Sequence, residues 1–195
     1  MDSIHTLIQT FRKHGCHRLF IKRLSKNDNS KQQVYLGPSF DVLTHFPNGE
    51  VVRKEGTTRE TWWAKVKLSW MKDSGKYSEA PNAKIILYPK YPEIRLSGFL
   101  RGCVEAPNEI MTSRAEGRIL FLAIRHQRDI IAYVCNADHN VAKSFHESYD
   151  LKGVFNEIPL LISSTGLEPI EQLITDIREI HQCGWISGER LNSQG

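Results

Sequence analysis

The 195-residue chain contains no apolar run of the roughly 18 residues that a membrane-spanning helix requires, which argues against an integral membrane protein. Its four cysteines, Cys16, Cys103, Cys135 and Cys183, lie far apart and form no CxxC pair. The first residues, with an acid at position 2 and polar interruptions, do not have the pattern of a signal or transit peptide. We therefore expect reduced thiols and a cytoplasmic location.

The sequence also lacks the short motifs of several common enzyme classes. There is no GxGxxG, GxxxxGK[ST], HExxH or GxSxG pattern. Magnesium-dependent nucleases need clustered carboxylates and a lysine, and the nearest match is Asp138 with Asp150 and Lys152. Because an acid-x-Lys triplet is common by chance, a self-contained Mg²⁺ nuclease is the weaker alternative.

Two short clusters contain possible zinc ligands. One is His14, Cys16 and His17, and the other is His181 and Cys183. Their spacing is not that of a regular zinc finger, so we favour a structural cysteine and surface histidines over a metal site.

Apolar residues make up 40% of the chain, which is enough for one ordinary core. Short alternating or apolar runs outnumber the amphipathic segments, which predicts a mainly β (α+β) fold, a barrel or a sandwich. The predicted strands are 17–24, 33–37, 61–70, 83–89, 93–99 and an antiparallel pair, 118–125 with 129–135. The predicted helices are 3–14, 40–46, 138–148 and 169–182.

The composition changes after the last predicted strand pair. Two glycines, two serines and one proline lie in 153–168, and a second proline follows at 169, which indicates a boundary near 150–165. We therefore expect one domain over 1–155 and a linker with a first helix over 156–195.

The net charge of +4 is concentrated in two segments. Residues 22–33 hold four cations against one carboxylate, and residues 84–101 do the same. Two basic segments beside strands favour a cleft for a polyanion, although two solvated loops would have the same composition.

The polar residues within these segments are of the types that read bases. Arginine pairs with guanine, asparagine and glutamine pair with adenine, and glutamate accepts from the cytosine amine. The pair Glu93 and Arg95 therefore has the chemistry to read a C·G pair, although a salt bridge between the two is the simpler alternative. A module that binds an acidic protein is a further alternative. A basic patch that binds only through its charge, however, needs no asparagine or glutamine side chains.

The runs FIKRLSKNDNSKQQVYL (20–36) and IRLSGFLRG (94–102), with the later AYVC strand pair, resemble the B3-like N-terminal domain of EcoRII-type (type IIE) restriction endonucleases. KRLS-x-ND is the most specific part, and the resemblance covers about residues 1–150. Residues 173–195 look like the start of a catalytic domain of the MvaI/BcnI type.

The resemblance implies a B3-like, seven-stranded open pseudobarrel with short flanking helices. Two arms of such a domain grip the major groove of double-stranded DNA at a CCWGG-type effector site, and occupancy regulates a nuclease domain of the same chain. It further implies a monomer without a cofactor of its own, Mg²⁺ being needed only by the nuclease domain. The arm positions carried over are Lys22, Arg23, Ser25, Asn27, Asp28, Asn29, Lys31, Gln32 and Gln33 (N-arm), and Lys90, Tyr91, Glu93, Arg95, Ser97 and Arg101 (C-arm).

Overall fold

The computed structural model describes residues 1–30, 33–37, 50–53, 60–88, 93–104, 117–126, 128–148, 158–162 and 166–169. The helices of this part are α1 (Ile4–Lys13), α2 (Lys26–Ser30) and α3 (Asn140–Ser148). The strands are β1 (Arg18–Arg23), β2 (Gln33–Tyr35), β3 (Glu50–Arg53), β4 (Glu60–Lys65), β5 (Lys67–Met71), β6 (Tyr77–Ala80), β7 (Lys84–Tyr88), β8 (Glu93–Ser97), β9 (Ile119–His126), β10 (Asp129–Cys135), β11 (Ile158–Ile162) and β12 (Leu167–Pro169).

The strands form two sheets. The large sheet has the order β12-β11-β1-β9-β10-β5-β6, and the small sheet has the order β2-β8-β7-β4-β3. All described pairs are antiparallel except β10 with β5. The prediction of a mainly β protein is confirmed, and neither sheet closes into a barrel within the described residues.

Both faces of the large sheet are covered. Phe20 of β1 faces the small sheet and belongs to one core, whereas its neighbours Leu19 and Ile21 face α1 and α3 and belong to a second core. Successive strand residues point to opposite faces, so a strand between two apolar layers is apolar throughout. This explains the unbroken run of β9, where Ile119 to Ile124 are all buried.

The two helices on the far face follow their sequence patterns. In α1, Ile4, Leu7, Ile8 and Phe11 are buried at helical spacing, and the Ser3 side chain accepts a hydrogen bond from an amide of the first turn. The helix α3 buries its apolar side in the same core. The predictions of helices over 3–14 and 138–148 are thereby confirmed.

The prediction of one strand over 61–70 is wrong. The chain breaks pairing at Val66 and passes from the small sheet (β4) to the large sheet (β5). The Val66 amide donates to Ala83 O at 3.1 Å, and the Lys67 amide donates to Arg128 O at 2.7 Å. Val66 and Leu68 both face the core between the sheets, so the alternation continues through the break and hides it.

Five described elements were not predicted. They are the short helix α2 and the strands β3, β6, β11 and β12. The predicted helix over 40–46 lies outside the described residues, as does that over 169–182 except for Pro169, which ends β12.

The predicted boundary after residue 155 precedes two strands of the large sheet. β11 pairs with β1, and β12 pairs with β11. Part of the segment expected to be linker therefore extends the large sheet. The separate unit predicted beyond it falls largely on residues that are not described and stays a prediction.

The three described cysteines are free thiols. Burial raises the pKa of Cys16 and of Cys135 to about 12 in each case, and it also raises the pKa of the half-buried Cys103. Because the thiolate is the nucleophile, all three thiols are poor nucleophiles in the folded protein.

We expect Cys16 and Cys135 of the native protein to resist alkylation by iodoacetamide at pH 8, since both thiols are buried and protonated. Peptide mass spectrometry after timed labelling measures each cysteine separately. The same protein in urea provides the control, where both residues should react fully. Equal rates in the two conditions would contradict the packing of both thiols.

Candidate functional site

The outer face of the small sheet carries residues of both predicted arms. In β8, Ile94 and Leu96 point into the core, so Arg95 and Ser97 point outward. Gln33 pairs with Ser97 in the register of β2 with β8, and Tyr35 pairs with Arg95. The two segments that the sequence marks as basic are therefore neighbours on one surface.

A pocket of about 290 Å³ lies where the two segments meet. Five of the predicted N-arm residues and one predicted C-arm residue line it, together with a tyrosine that was not predicted. The lining residues are Lys22, Ser25, Asn27, Asp28, Gln33, Tyr35 and Arg95.

A buried carboxylate organises the N-arm side of this pocket. Asp28 is 2% exposed, and its Oδ2 accepts hydrogen bonds from the amide and the hydroxyl of Ser25, both at 2.7 Å. Its Oδ1 accepts from the Tyr35 amide at 2.9 Å. One side chain of α2 is thus linked to Ser25, just after β1, and to the last residue of β2.

Lys22 neutralises that carboxylate. Its ammonium lies 3.5 Å from Asp28 Oδ1, donates to the backbone oxygen of Tyr35 and sits 5.0 Å from the centre of the Tyr35 ring. Lys22 is only 6% exposed. A buried, fully engaged ammonium is suited to holding the arm in place and not to contacting a partner.

Arg95 is held from two sides. One guanidinium nitrogen donates to Gln33 Oε1 at 3.1 Å, and the guanidinium carbon lies 5.3 Å from the centre of the Tyr88 ring. Such contacts fix the plane of the guanidinium while leaving part of the side chain accessible. The arrangement presents an oriented donor group beside the exposed Asn27.

A second cavity, of about 500 Å³, lies further across the same sheet. Ser97 and Arg101 of the predicted C-arm line it, together with cations and an aromatic residue of β4 and β7: Trp63, Lys65 and Lys84. The loop after β8 forms one wall, and the turn at Pro81 and Asn82 forms another.

The loop wall depends on a glycine. Gly98 has φ +68°, and a Cβ added there would lie 2.1 Å from the backbone oxygen of Asn82. No side chain fits in that space, so the loop approaches the turn only because residue 98 is glycine.

We expect Gly98→Ala to destabilise the protein more than Gly75→Ala does. Both glycines have positive φ, but a Cβ at Gly75 meets nothing within 4 Å. Gly75→Ala should therefore cost about 1–2 kcal/mol of backbone strain, and Gly98→Ala about 1–3 kcal/mol more for the steric overlap. Urea unfolding of both variants measures the difference, and equal values would contradict the close approach.

The other predicted site residues are not gathered at these cavities. Arg23 is exposed at the end of β1 and lines neither of them, and Asn29 lies within α2. Glu93 lies in β8 opposite Tyr88. The predictions for Lys31, Gln32, Lys90 and Tyr91 lie outside the described residues.

The enzymatic and metal alternatives fall partly on residues that the structure does not describe. Asp138 is exposed in the turn before α3, and its predicted partners, Asp150 and Lys152, lie outside the described residues. His14 Nε2 is 2.6 Å from the Tyr77 hydroxyl. Within the described part of the chain, no three potential ligands cluster to hold a metal ion.

The predicted arms did not include the aromatic and cationic residues around them, although Lys84 lies in the second basic segment. Tyr35 and Tyr88 flank Lys22 and Arg95, and Trp63, Lys65 and Lys84 line the larger cavity. The alternation of β4 does place Trp63 and Lys65 on one face, but only the pairing of β4 with β7 brings Lys84 beside them.

No family model and no curated protein matches the chain. None of the helices in the described residues has the length and apolar character that crossing a membrane requires.

Proposed function

We propose that this chain binds double-stranded DNA in a sequence-specific manner through the outer face of the small sheet. The observation that carries the proposal is the meeting of Gln33 and Arg95, from the two basic segments, at 3.1 Å beside Asn27. Arginine and amide side chains are the groups that discriminate guanine and adenine in the major groove, whereas a purely electrostatic patch needs only cations.

The contacts of this pocket favour a preorganised reader. Tyr88 and Gln33 restrict the Arg95 guanidinium, and Asp28 with Lys22 restricts the segment that carries Asn27. Side chains ordered before binding lose less conformational entropy when they contact a ligand. The pocket is therefore suited to contacts that depend on geometry, as base recognition does.

We further propose that the two sheets form the B3-like open pseudobarrel that the sequence resembles. The shared core between the sheets and the crossing of the chain at Val66 support this proposal. In a pseudobarrel, strands pass from one sheet to the other without closing the ring of hydrogen bonds.

From the resemblance we also propose which DNA sequence is bound and what its binding regulates. The target is a CCWGG-type effector site, bound by one monomer, and its occupancy regulates a nuclease domain that follows in the same chain. Mg²⁺ serves that nuclease domain and is not needed for binding. A cytoplasmic location follows from the same proposal.

A gel-shift titration without Mg²⁺ tests the function. A duplex containing CCAGG is compared with the same duplex in which the outer C·G pairs are exchanged. Tight binding to the first duplex alone is expected. Equal, salt-sensitive binding to both would indicate a generic basic surface, and binding to neither would favour the protein-interaction alternative; either result would contradict the proposal.

A further inference from the structure

Two lysines face each other across the small sheet. Lys65 of β4 and Lys84 of β7 are direct cross-strand partners, and Arg101 lies on the opposite wall of the 500 Å³ cavity. Like charges placed directly opposite in a sheet repel and destabilise it. The arrangement therefore has a cost in the free protein that a bound anion would remove.

The described part of the chain offers no internal anion for this cluster. No ion pair described there involves Lys65, Lys84 or Arg101, and none of the described residues lining the cavity is acidic. The Lys84 ammonium instead lies 5.7 Å from the centre of the Trp63 ring, which holds it over the sheet.

The wall that carries Arg101 is fixed in place. The Trp70 indole donates to Phe99 O at 2.7 Å, and the Asn82 side-chain Nδ2 donates to Arg101 O at 2.9 Å. Together with the close approach of Gly98 to the turn, these contacts hold the loop against the sheet. A site whose walls are already ordered binds a ligand at a lower entropic cost.

We propose that this cavity holds phosphodiester groups of a nucleic-acid backbone, with Lys65, Lys84 and Arg101 as the cationic contacts. The proposal rests on the proposed function and adds a backbone site next to the base-reading pocket. Ser97 joins the two, because it pairs with Gln33 on one side and with Lys84 on the other.

The spacing of the strands fits a single duplex across both sites. Neighbouring strands lie about 4.8 Å apart, so Lys84 is one strand, about 5 Å, and Lys65 two strands, about 10 Å, from the strand of Arg95. The major groove is about 12 Å wide. With Arg95 at the base edges, both lysines reach the phosphates along one wall of the groove.

The test is the salt dependence of duplex binding by the Lys65→Gln/Lys84→Gln variant of the full chain. Each lost phosphate contact lowers the slope of log K against log salt by about one unit, so the slope should fall by about two. Affinity at low salt should fall by the same factor for the CCAGG duplex and the exchanged duplex. Lys13→Gln/Lys143→Gln removes two exposed cations from α1 and α3 and is the matched control, with an unchanged slope.

The possible outcomes test the proposed backbone site separately from the proposed sequence-specific binding. An unchanged slope in a variant that still discriminates the two duplexes overturns the backbone site and leaves the function standing. A reduced slope in a protein that never discriminates supports the backbone site and contradicts sequence-specific binding. Absence of binding to any duplex at low salt overturns both. Urea unfolding checks the fold, and the variant should be about as stable as the parent, because removal of the repulsion offsets the lost contact of Lys84 with Trp63.

Discussion

Arg95→Ala should weaken binding to the CCAGG duplex by about 1–3 kcal/mol, which is about 5- to 150-fold in Kd. Binding to the exchanged duplex should change much less. The reason is that Gln33 and Tyr88 orient the Arg95 guanidinium, which in the proposed function makes a bidentate contact that only the correct base accepts. Gel-shift titrations of both duplexes at one salt concentration measure the two losses.

Two further variants make this result specific to the guanidinium. Arg95→Lys keeps the charge but loses the planar fork, so it should retain the affinity for the exchanged duplex and still lose affinity for CCAGG. Arg12→Ala removes an exposed arginine from α1, on the opposite side of the large sheet. It should change the affinity for neither the CCAGG duplex nor the exchanged duplex. An equal loss on both duplexes in Arg95→Ala would make Arg95 a phosphate contact and not a base reader.

Asp28→Ala should lower the free energy of unfolding by about 3–5 kcal/mol, because it leaves the buried Lys22 ammonium without its counter-charge. The amides of Ser25 and Tyr35 also lose their acceptor. Urea unfolding measures the effect. Asp2→Ala, at a side chain that is 98% exposed, is the control and should change the stability by less than about 0.5 kcal/mol.

The charge pair itself is isolated by a double-mutant cycle. Lys22→Met and Asp28→Asn each leave one buried charge unpaired, whereas the double variant removes both charges together. The double variant should therefore be more stable than the sum of the single losses predicts, by about 0.5–3 kcal/mol. Additive losses would show that the ion pair does not organise the arm.

The alternation of apolar residues predicted much of the fold. The β9–β10 pair and the helices α1 and α3 follow directly from their patterns, because each has one or two faces that must be buried. The break at Val66 was not predictable, since core-facing residues continue at period two through it. The helix α2 (Lys26–Ser30) has no apolar period at all, and its Asp28 side chain holds it through Ser25, just before the helix, and Tyr35 of β2.

Some residues of the candidate site could likewise be predicted from the sequence, and others could not. Residue chemistry identified Gln33 and Arg95, and the pairing of β2 with β8 brings them together. The sequence could not distinguish the buried Lys22 and Asp28 from residues exposed to a ligand, since burial depends on the fold around them. Nor could it find the Lys65 and Lys84 pair, because their contact exists only in the register of β4 with β7.

Methylation protection measures whether the outer face of the small sheet contacts base edges in the major groove, as we propose. Dimethyl sulfate modifies guanine N7, the atom that an arginine contacts in that groove. We expect the bound protein to protect guanines of the CCAGG site and not flanking guanines, and Arg95→Ala to lose protection at one of them. Binding that leaves every guanine of the site reactive would contradict major-groove recognition.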